Sequence, residues 1–186
     1  MINIKDLGVI LKKTDKEFEN HGVLNPDCVK IGDITHMFYR AIGKDKLSTE
    51  TISCIGYCKL KDHKVIERKE EPLIYPEQSY ERQGIEDPHV TKIDDTYYMC
   101  YTAYDGKNAR VAYAVSKDLQ NFEKRGLLSP SITYDEAENI FRNSKLQERY
   151  FLFEAIYKQK LGEEIKLWEK DAFLLPKKIN GKYILF

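Results

Sequence analysis

The sequence predicts an all-β protein, a β-propeller built from repeated four-stranded units. Two observations carry this prediction. A hairpin-like segment occurs three times, at residues 30–41, 92–103 and 178–186, and the first two occurrences are followed by further strand-like segments. Repeated units of about four short strands are typical of propeller blades. A β-sandwich is the alternative all-β architecture, but it has no reason to repeat a template of about 60 residues.

Each copy of the hairpin segment has the same order of residue types. It begins with Lys-Ile, passes through a two-residue polar turn such as Asp94-Asp95 or Asn180-Gly181, and returns as an alternating or aromatic strand. Two polar or glycine residues between two apolar runs are the sequence signal of a tight β-hairpin. We therefore expect three hairpins of one kind.

The repeat also predicts where the blades lie within one incomplete propeller domain that spans residues 1–186. The Lys-Ile pairs of the first two copies begin at residues 30 and 92, so they lie 62 residues apart (92 minus 30). The expected units are a first blade at about 22–80, a second blade at about 84–130 and the start of a third at about 171–186. Two and a half blades leave an open edge, because a propeller closes only when its last blade meets its first. We expect this chain to be the N-terminal portion of something larger, or to need an oligomer or a complementing chain at that edge.

The segment between the second and third copies has a different pattern. Residues 134–170 contain Tyr150, Phe153, Tyr157 and Leu161 at helical spacing, with Glu and Lys between them and no proline. This pattern predicts a helical insertion. Its aromatic stripe is expected to pack against the propeller, since an amphipathic helix must bury its apolar side.

Composition limits the classes of partner. Lys plus Arg and Asp plus Glu are 30 each, so the formal net charge is zero, and no excess of positive charge is present to attract nucleic acid or an anionic membrane. No apolar run approaches the ~18 residues of a membrane span. The four Cys and four His lack the spacing of a metal site. We expect a cytoplasmic protein that needs no metal or organic cofactor.

Several short motifs, taken together and in order, resemble glycoside hydrolase family 130, the mannoside phosphorylases and related mannosidases. The matching segments are Asn25-Pro26, Tyr39-Arg40, Gly84-Ile85-Glu86-Asp87-Pro88, Tyr101-Thr102-Ala103-Tyr104-Asp105, Ser116-Lys117-Asp118-Leu119, Lys170-Asp171-Ala172 and residues 176–183. They run from about residue 22 to the end of the sequence. The resemblance implies a five-bladed β-propeller.

The resemblance also implies a function and a set of site residues. The implied reaction is phosphorolysis of a β-mannoside oligosaccharide to mannose 1-phosphate, with inorganic phosphate as co-substrate, or hydrolysis in subfamilies that lack the phosphate site. Asp87 corresponds to the general acid, which passes its proton through a hydroxyl of the sugar. The implied contacts to the sugar are Asn25, Arg40, Glu86, Tyr104 and Asp105, and the implied contacts to phosphate are Lys107, Arg125 and Lys170.

The residues around Asp87 allow a physical argument as well. Pro88 disfavours the helical region for Asp87, so we expect an extended Asp87 whose side chain leaves the chain opposite to that of Glu86. Only one of the two carboxylates would then face the cavity. An Asp-Pro pair before a strand is also a common start of a turn, so a purely structural role for this segment stays open.

The choice between phosphate and water as the nucleophile depends on a second carboxylate. An inverting hydrolase needs a base about 6.5–9.5 Å from its acid, and the candidates at strand ends are Asp105 and Asp171. A phosphorylase needs cations instead, which favours phosphorolysis. The alternatives are a β-mannoside hydrolase and an inactive, carbohydrate-binding half-propeller. One departure from the family is His89, which stands where the family usually has Arg.

Overall fold

The described chain forms two four-stranded antiparallel blades. The computed structural model describes residues 5–44, 50–134, 136–137 and 166–186. The strands are β1 (Gly22–Ile31), β2 (Ile34–Lys44), β3 (Thr51–Lys61), β4 (Lys64–Arg68), β5 (Gly84–Ile93), β6 (Thr96–Tyr104), β7 (Ala109–Ser116) and β8 (Glu123–Leu127). In each blade the strands pair in sequence order, and a single parallel contact between Ser53 and Gly84 joins β3 to β5. The predicted all-β fold with repeated four-stranded units is confirmed.

Tight turns close the hairpins as the sequence predicts. At Asp94-Asp95 the first residue takes a positive φ of 53°, and β5 pairs with β6 directly on either side of the turn. At Asn180-Gly181 both residues have positive φ, 50° and 75°. Positive φ at both central residues is the type I′ geometry that matches the twist of a hairpin. Polar or glycine residues at these turns therefore determine where the strands reverse.

The third hairpin covers residues 173–186. Phe173 and Phe186 exchange two backbone hydrogen bonds of 3.0 Å, and their rings stack at 5.5 Å. The hairpin is attached to blade 2, because Thr91 donates to the carbonyl of Leu174 at 3.0 Å and the hydroxyls of Tyr98 and Tyr183 lie 2.9 Å apart. It thus packs beside the inner hairpin of blade 2, where a third blade would begin.

The predicted helical insertion falls mainly outside the described residues. At its described N-terminal side, Ala137 donates to the carbonyl of Thr133, which closes one helical turn. At the other side residues 166–170 form no helix: Lys166 pairs with Thr133 and Leu167 donates to the carbonyl of Ile132. Within the described ranges, no helix is long and apolar enough to cross a membrane.

The main hydrophobic core lies between the two blades. Phe38 on β2 packs against Tyr57 of its own blade at 5.3 Å and meets Phe122, next to β8, edge-on at 5.8 Å. Ile85 and Met99 of blade 2 are fully buried in the same cluster. Burial of aromatic and aliphatic side chains from both blades fixes their relative orientation, and so positions their inner strands side by side.

A buried carboxylate ties the start of blade 2 to its outer strands. Glu81 lies on the 3₁₀ helix Ser79–Glu81, just before β5, and is completely buried. Its Oε1 accepts from the Tyr101 hydroxyl at 2.8 Å, and its Oε2 accepts from Lys124 Nζ at 2.7 Å and from the amides of Glu77 and Gln78. Burial would raise the pKa of Glu81, but these donors outweigh it and lower the pKa below its ordinary value.

The same arrangement occurs 62 residues earlier in blade 1. Glu19 lies on the 3₁₀ helix Glu17–Glu19 before β1 and is also completely buried. It accepts from the Tyr39 hydroxyl at 2.9 Å and from Arg68 at 2.7 Å. Each blade therefore has one carboxylate that joins the segment before the inner strand to the second strand and to a cation of the fourth.

We predict that Glu81→Gln lowers the free energy of unfolding at pH 7 by roughly 2–3 kcal/mol, because Lys124 loses its buried partner. The pKa of Glu81 is lower in the folded than in the unfolded state, where it is near 4.5. Its contribution to the free energy of unfolding is therefore fully present at pH values above 4.5 and is lost as the pH falls through the folded-state pKa. Urea denaturation at pH 7 and pH 4 should show the variant losing less stability on acidification than the parent.

The matched control is Glu123→Gln, which removes an exposed ion pair with Arg125 in the same blade. Exposed pairs contribute about 0–1 kcal/mol, so this variant should unfold almost as the parent does. Equal losses for Glu81→Gln and Glu123→Gln would contradict the role given to Glu81.

Candidate active site

The inner strands of both blades contain a β-bulge at an Asx-Pro pair. The pairing register shifts between Leu24 and Asp27 in β1 and between Glu86 and His89 in β5. Asn25 has φ 46° and Asp87 has φ 50°, both in the left-handed region. The prediction that Pro88 holds Asp87 extended is therefore wrong. Proline disfavours the right-handed helical region, and the bulge uses the left-handed one, which Asp and Asn tolerate better than most residues.

Because Asp87 is not extended, the two neighbouring carboxylates do not leave the strand on opposite sides. Arg40 Nη2 donates to Glu86 Oε1 at 2.6 Å, and Arg40 Nη1 lies 3.8 Å from Asp87 Oδ1. Both residues are buried, with side chains that are 7% and 11% exposed for Glu86 and Asp87. The expectation that only one of them faces the site is wrong, since a bulge interrupts the alternation of an extended strand.

Two further side chains complete this group. Asn25 Nδ2 donates to Asp87 Oδ1 at 2.8 Å, and Lys170 Nζ donates to Glu86 Oε2 at 2.9 Å. We call Asn25, Arg40, Glu86, Asp87 and Lys170 the bulge cluster. All five are residues that the sequence predicts for the site, and they come from blade 1, blade 2 and the segment before the third hairpin.

Two aromatic rings surround the ammonium group of Lys170. It lies 6.0 Å from the centre of the Tyr104 ring and 5.6 Å from that of Trp168, and these rings meet edge-on at 5.9 Å. Such contacts stabilise a cation. Tyr104 was predicted for the site, but Trp168 was not. Its one sequence signal is that it is the only Trp of the chain, two residues before a candidate phosphate ligand.

The loop between β6 and β7 contains two other predicted residues. Asp105 Oδ1 accepts from the amides of Lys107 and Asn108 at 2.9 and 2.7 Å, and its Oδ2 accepts from the Asn108 side chain. Burial would raise the pKa of Asp105, but these bonds and the charge of Arg110 lower it below its ordinary value. Trp168 Nε1 donates to the Lys107 carbonyl at 3.0 Å, so the loop supports the aromatic corner around Lys170.

The structure does not bring Arg125 to the bulge cluster. It lies on β8, three strands from β5 or about 14 Å across the sheet, and pairs with Glu123 at 2.7 Å. His89 also points elsewhere, because its ring centre lies 6.2 Å from that of Phe173 in the third hairpin. The predicted phosphate contact of Arg125 gains no support from this position.

The bulge cluster combines two carboxyl groups with two cations and an amide donor. Two carboxyl groups are matched by two cations. A cavity of about 750 Å³ borders the cluster at Lys170, beside Trp168 and Asp171, and the other four members of the cluster do not line it. A volume of this size is within the range of ligand sites. Among the described residues, no three His, Cys, Asp or Glu side chains are grouped so as to hold a metal ion. The arrangement suits recognition of hydroxyls and anions together with proton transfer by a carboxyl group.

Sequence comparisons find one matching family model and several curated relatives. The model of a family described as beta-1,4-mannooligosaccharide phosphorylase matches residues 11–186. The chain is 30% identical to a 1,2-beta-oligomannan phosphorylase of Thermoanaerobacter sp. (strain X514), over 100% of this chain and 53% of that protein. It is 32% identical to a beta-1,2-mannobiose phosphorylase of the same strain, over 92% of this chain and 49% of that protein. The chain thus spans about half the length of these curated relatives.

Solved structures show the same fold. A glycosyl hydrolase from Bacteroides ovatus superposes with a TM-score of 0.66 at 21% identity, over 95% of this chain and 49% of that one. The beta-1,2-mannobiose phosphorylase from Listeria innocua, in complex with beta-1,2-mannobiose, superposes with a TM-score of 0.60 at 19% identity, over 88% and 51%. Both matches cover about half of the larger chain, as the sequence comparisons do.

We predict that Arg40→Gln destabilises the chain more than Glu86→Gln does. Removal of Arg40 leaves two buried carboxylates without their shared cation, which costs roughly 3 kcal/mol, whereas removal of the Glu86 charge leaves Arg40 beside Asp87. Denaturant unfolding of both single variants and the double variant gives the coupling energy. A double variant as unstable as the sum of the single ones would show that the contact contributes nothing.

Proposed function

The chain belongs to glycoside hydrolase family 130, and on that premise we propose that its protein cleaves β-mannosides by phosphorolysis and releases mannose 1-phosphate. The observation that carries this proposal is the bulge cluster, in which Asp87, the residue at the family's general-acid position, is buried against Asn25 and Arg40. Inorganic phosphate is the co-substrate, and the cluster requires no other cofactor.

Asp87 donates the proton that the leaving oxygen needs. Its Oδ1 accepts a hydrogen bond from Asn25 at 2.8 Å, so the orientation of the carboxyl group is set before the substrate binds. A positioned general acid of this kind contributes a large part of the rate enhancement in glycosidic bond cleavage. Arg40, whose planar guanidinium fits paired oxygens, holds Asp87 and Glu86 beside the sugar.

Lys170 supplies positive charge for the phosphate. Its ammonium group lies between two aromatic rings and donates to Glu86. Phosphate is already anionic and needs cations rather than a base, which is why a phosphorylase can function without a second free carboxylate. Lys107 lies in the loop that supports Trp168, so we retain it as a phosphate contact, and we leave out the distant Arg125.

The state of the neighbouring carboxylates favours phosphate over water as the nucleophile. Glu86 accepts from Arg40 through one oxygen and from Lys170 through the other, and Asp105 uses both oxygens to close its loop. A general base needs an accessible oxygen on the far side of the sugar. Hydrolysis is the second candidate, because a solved relative is described as showing that this family contains hydrolases of beta-1,2 mannosidic linkages. Asp171, which lines the cavity, would then be the base.

The substrate is proposed as a class. The Thermoanaerobacter relatives are named for β-1,2-linked mannosides, whereas the family description names β-1,4-linked ones. The test is to incubate the protein with each mannobiose, with and without phosphate, and to measure mannose 1-phosphate. Phosphate-dependent formation of this product supports the proposal. Free mannose at the same rate without phosphate indicates hydrolysis, and sugar binding in calorimetry with no product indicates a binding protein.

We predict that Asp87→Asn lowers kcat by about 10²–10⁴-fold, the usual contribution of general acid catalysis. The amide keeps the size of the side chain but has no acidic proton to transfer. The control is Asp95→Asn, in the exposed turn of the same hairpin, which should leave the rate unchanged. Full activity of Asp87→Asn would eliminate Asp87 as the acid.

We predict that Lys170→Met raises the KM for phosphate by about 10–100-fold, because a hydrogen bond to a charged group contributes about 1.5–3 kcal/mol. The KM for the mannoside should change much less. Lys178→Met, which removes an exposed pair with Asp94, is the matched control. The emission of Trp168, the only Trp of the chain, provides a binding signal, and a phosphate response that survives in Lys170→Met would oppose this assignment.

A further inference from the structure

The bulge of blade 1 holds the bulge of blade 2 by two side chains. Asn25 binds the carboxyl of Asp87, and Asp27 Oδ2 accepts from the backbone amide of Val90 at 2.6 Å. Asn25 and Asp87 occupy the same place in the repeat, 62 residues apart (87 minus 25). The two bulges therefore contact each other directly. Blade 1 binds Asp87 on one side of Pro88 and Val90 on the other.

The bond from Val90 to Asp27 joins two inner strands that share no ladder in the described sheet. β1 pairs with β2, and β5 pairs with β6 and contacts β3 at one point. The second oxygen of Asp27 accepts from the amide of Cys28 at 2.8 Å, which fixes the carboxylate in place. Asp27 is partly buried, and its short bond restrains the backbone three residues after Asp87.

We propose that Asp27 is a positioning residue for Asp87, a role that rests on the proposed function of Asp87 as the acid. Asn25 sets the direction of the carboxyl group, and Asp27 sets the path of the strand that carries it. His89, the residue of blade 2 that corresponds to Asp27, is directed towards Phe173. The catalytic strand is thus held from blade 1.

The mechanism predicts a selective loss of activity. Without Asp27 the strand after Pro88 can shift, and a displacement near 1 Å of a catalytic group costs about 10²-fold in rate. The loss should fall on substrates whose leaving group must be protonated. A β-mannoside of 2,4-dinitrophenol needs no proton on leaving, whereas a mannobiose does.

The test compares Asp27→Ala with the unsubstituted protein on these two substrates. We expect kcat on the mannobiose to fall about 10–100-fold and kcat on the dinitrophenyl mannoside to fall less than about threefold, with an unchanged melting temperature. Asp27→Asn should recover most of the loss, because the amide oxygen still accepts from Val90. Asp33→Ala, in the exposed turn of the same hairpin, is the control and should match the parent.

The outcomes separate the two claims. If the unsubstituted protein cleaves neither mannoside, the proposed function fails. If that protein is active but Asp27→Ala slows both substrates equally, or slows neither, the positioning role is overturned. Equal slowing with a lower melting temperature assigns Asp27 to the scaffold instead.

Discussion

The β-bulge at Asp87 is the constraint on which the site depends. It places Asp87 in the left-handed region and so brings two consecutive carboxylates to one cation. Two buried carboxyl groups require partners for their oxygens. Arg40 provides one from blade 1 and Lys170 another from the segment that leads to the third hairpin. The need to provide partners for the side chains of one bulge therefore determines how three parts of the chain meet.

The repeat provides the frame in which this bulge is held. Each blade begins with a buried glutamate that joins a 3₁₀ helix to a tyrosine of the second strand and a cation of the fourth. Each inner strand then contains an Asx-Pro bulge. The frame is the same in both blades, but the chemistry of the bulges differs. The first presents an amide at Asn25 between Leu24 and Asp27, and the second presents a carboxyl group at Asp87 between Glu86 and His89. The bulge of blade 1, through Asn25 and Asp27, supports the bulge of blade 2 that contains Asp87.

The sequence allowed much of this structure to be predicted where local residues determine the outcome. Turn residues such as Asn180-Gly181 predict the hairpins, because their backbone preference is local, and the repeat places Asn25 and Asp87 at equivalent positions. The bulge was missed because a proline excludes one backbone region without selecting among the others. Trp168 and Asp27 were missed because their partners, Lys107 and Val90, lie 61 and 63 residues away. Arg125 was assigned to phosphate from the family resemblance alone, which does not reveal on which strand a residue lies.

The geometry also connects the choice of nucleophile to the way the site is held. Glu86 directly precedes Asp87 in the chain, and it is bound through both oxygens by the cations of the cluster. A group used in this way cannot also move to activate water. The bonds from Arg40 and Lys170 therefore remove Glu86 as a base, and Lys170 borders the cavity with its positive charge. In such a site an anionic nucleophile meets attraction where water would need a base, and the proposal of phosphorolysis rests on this pattern of charges.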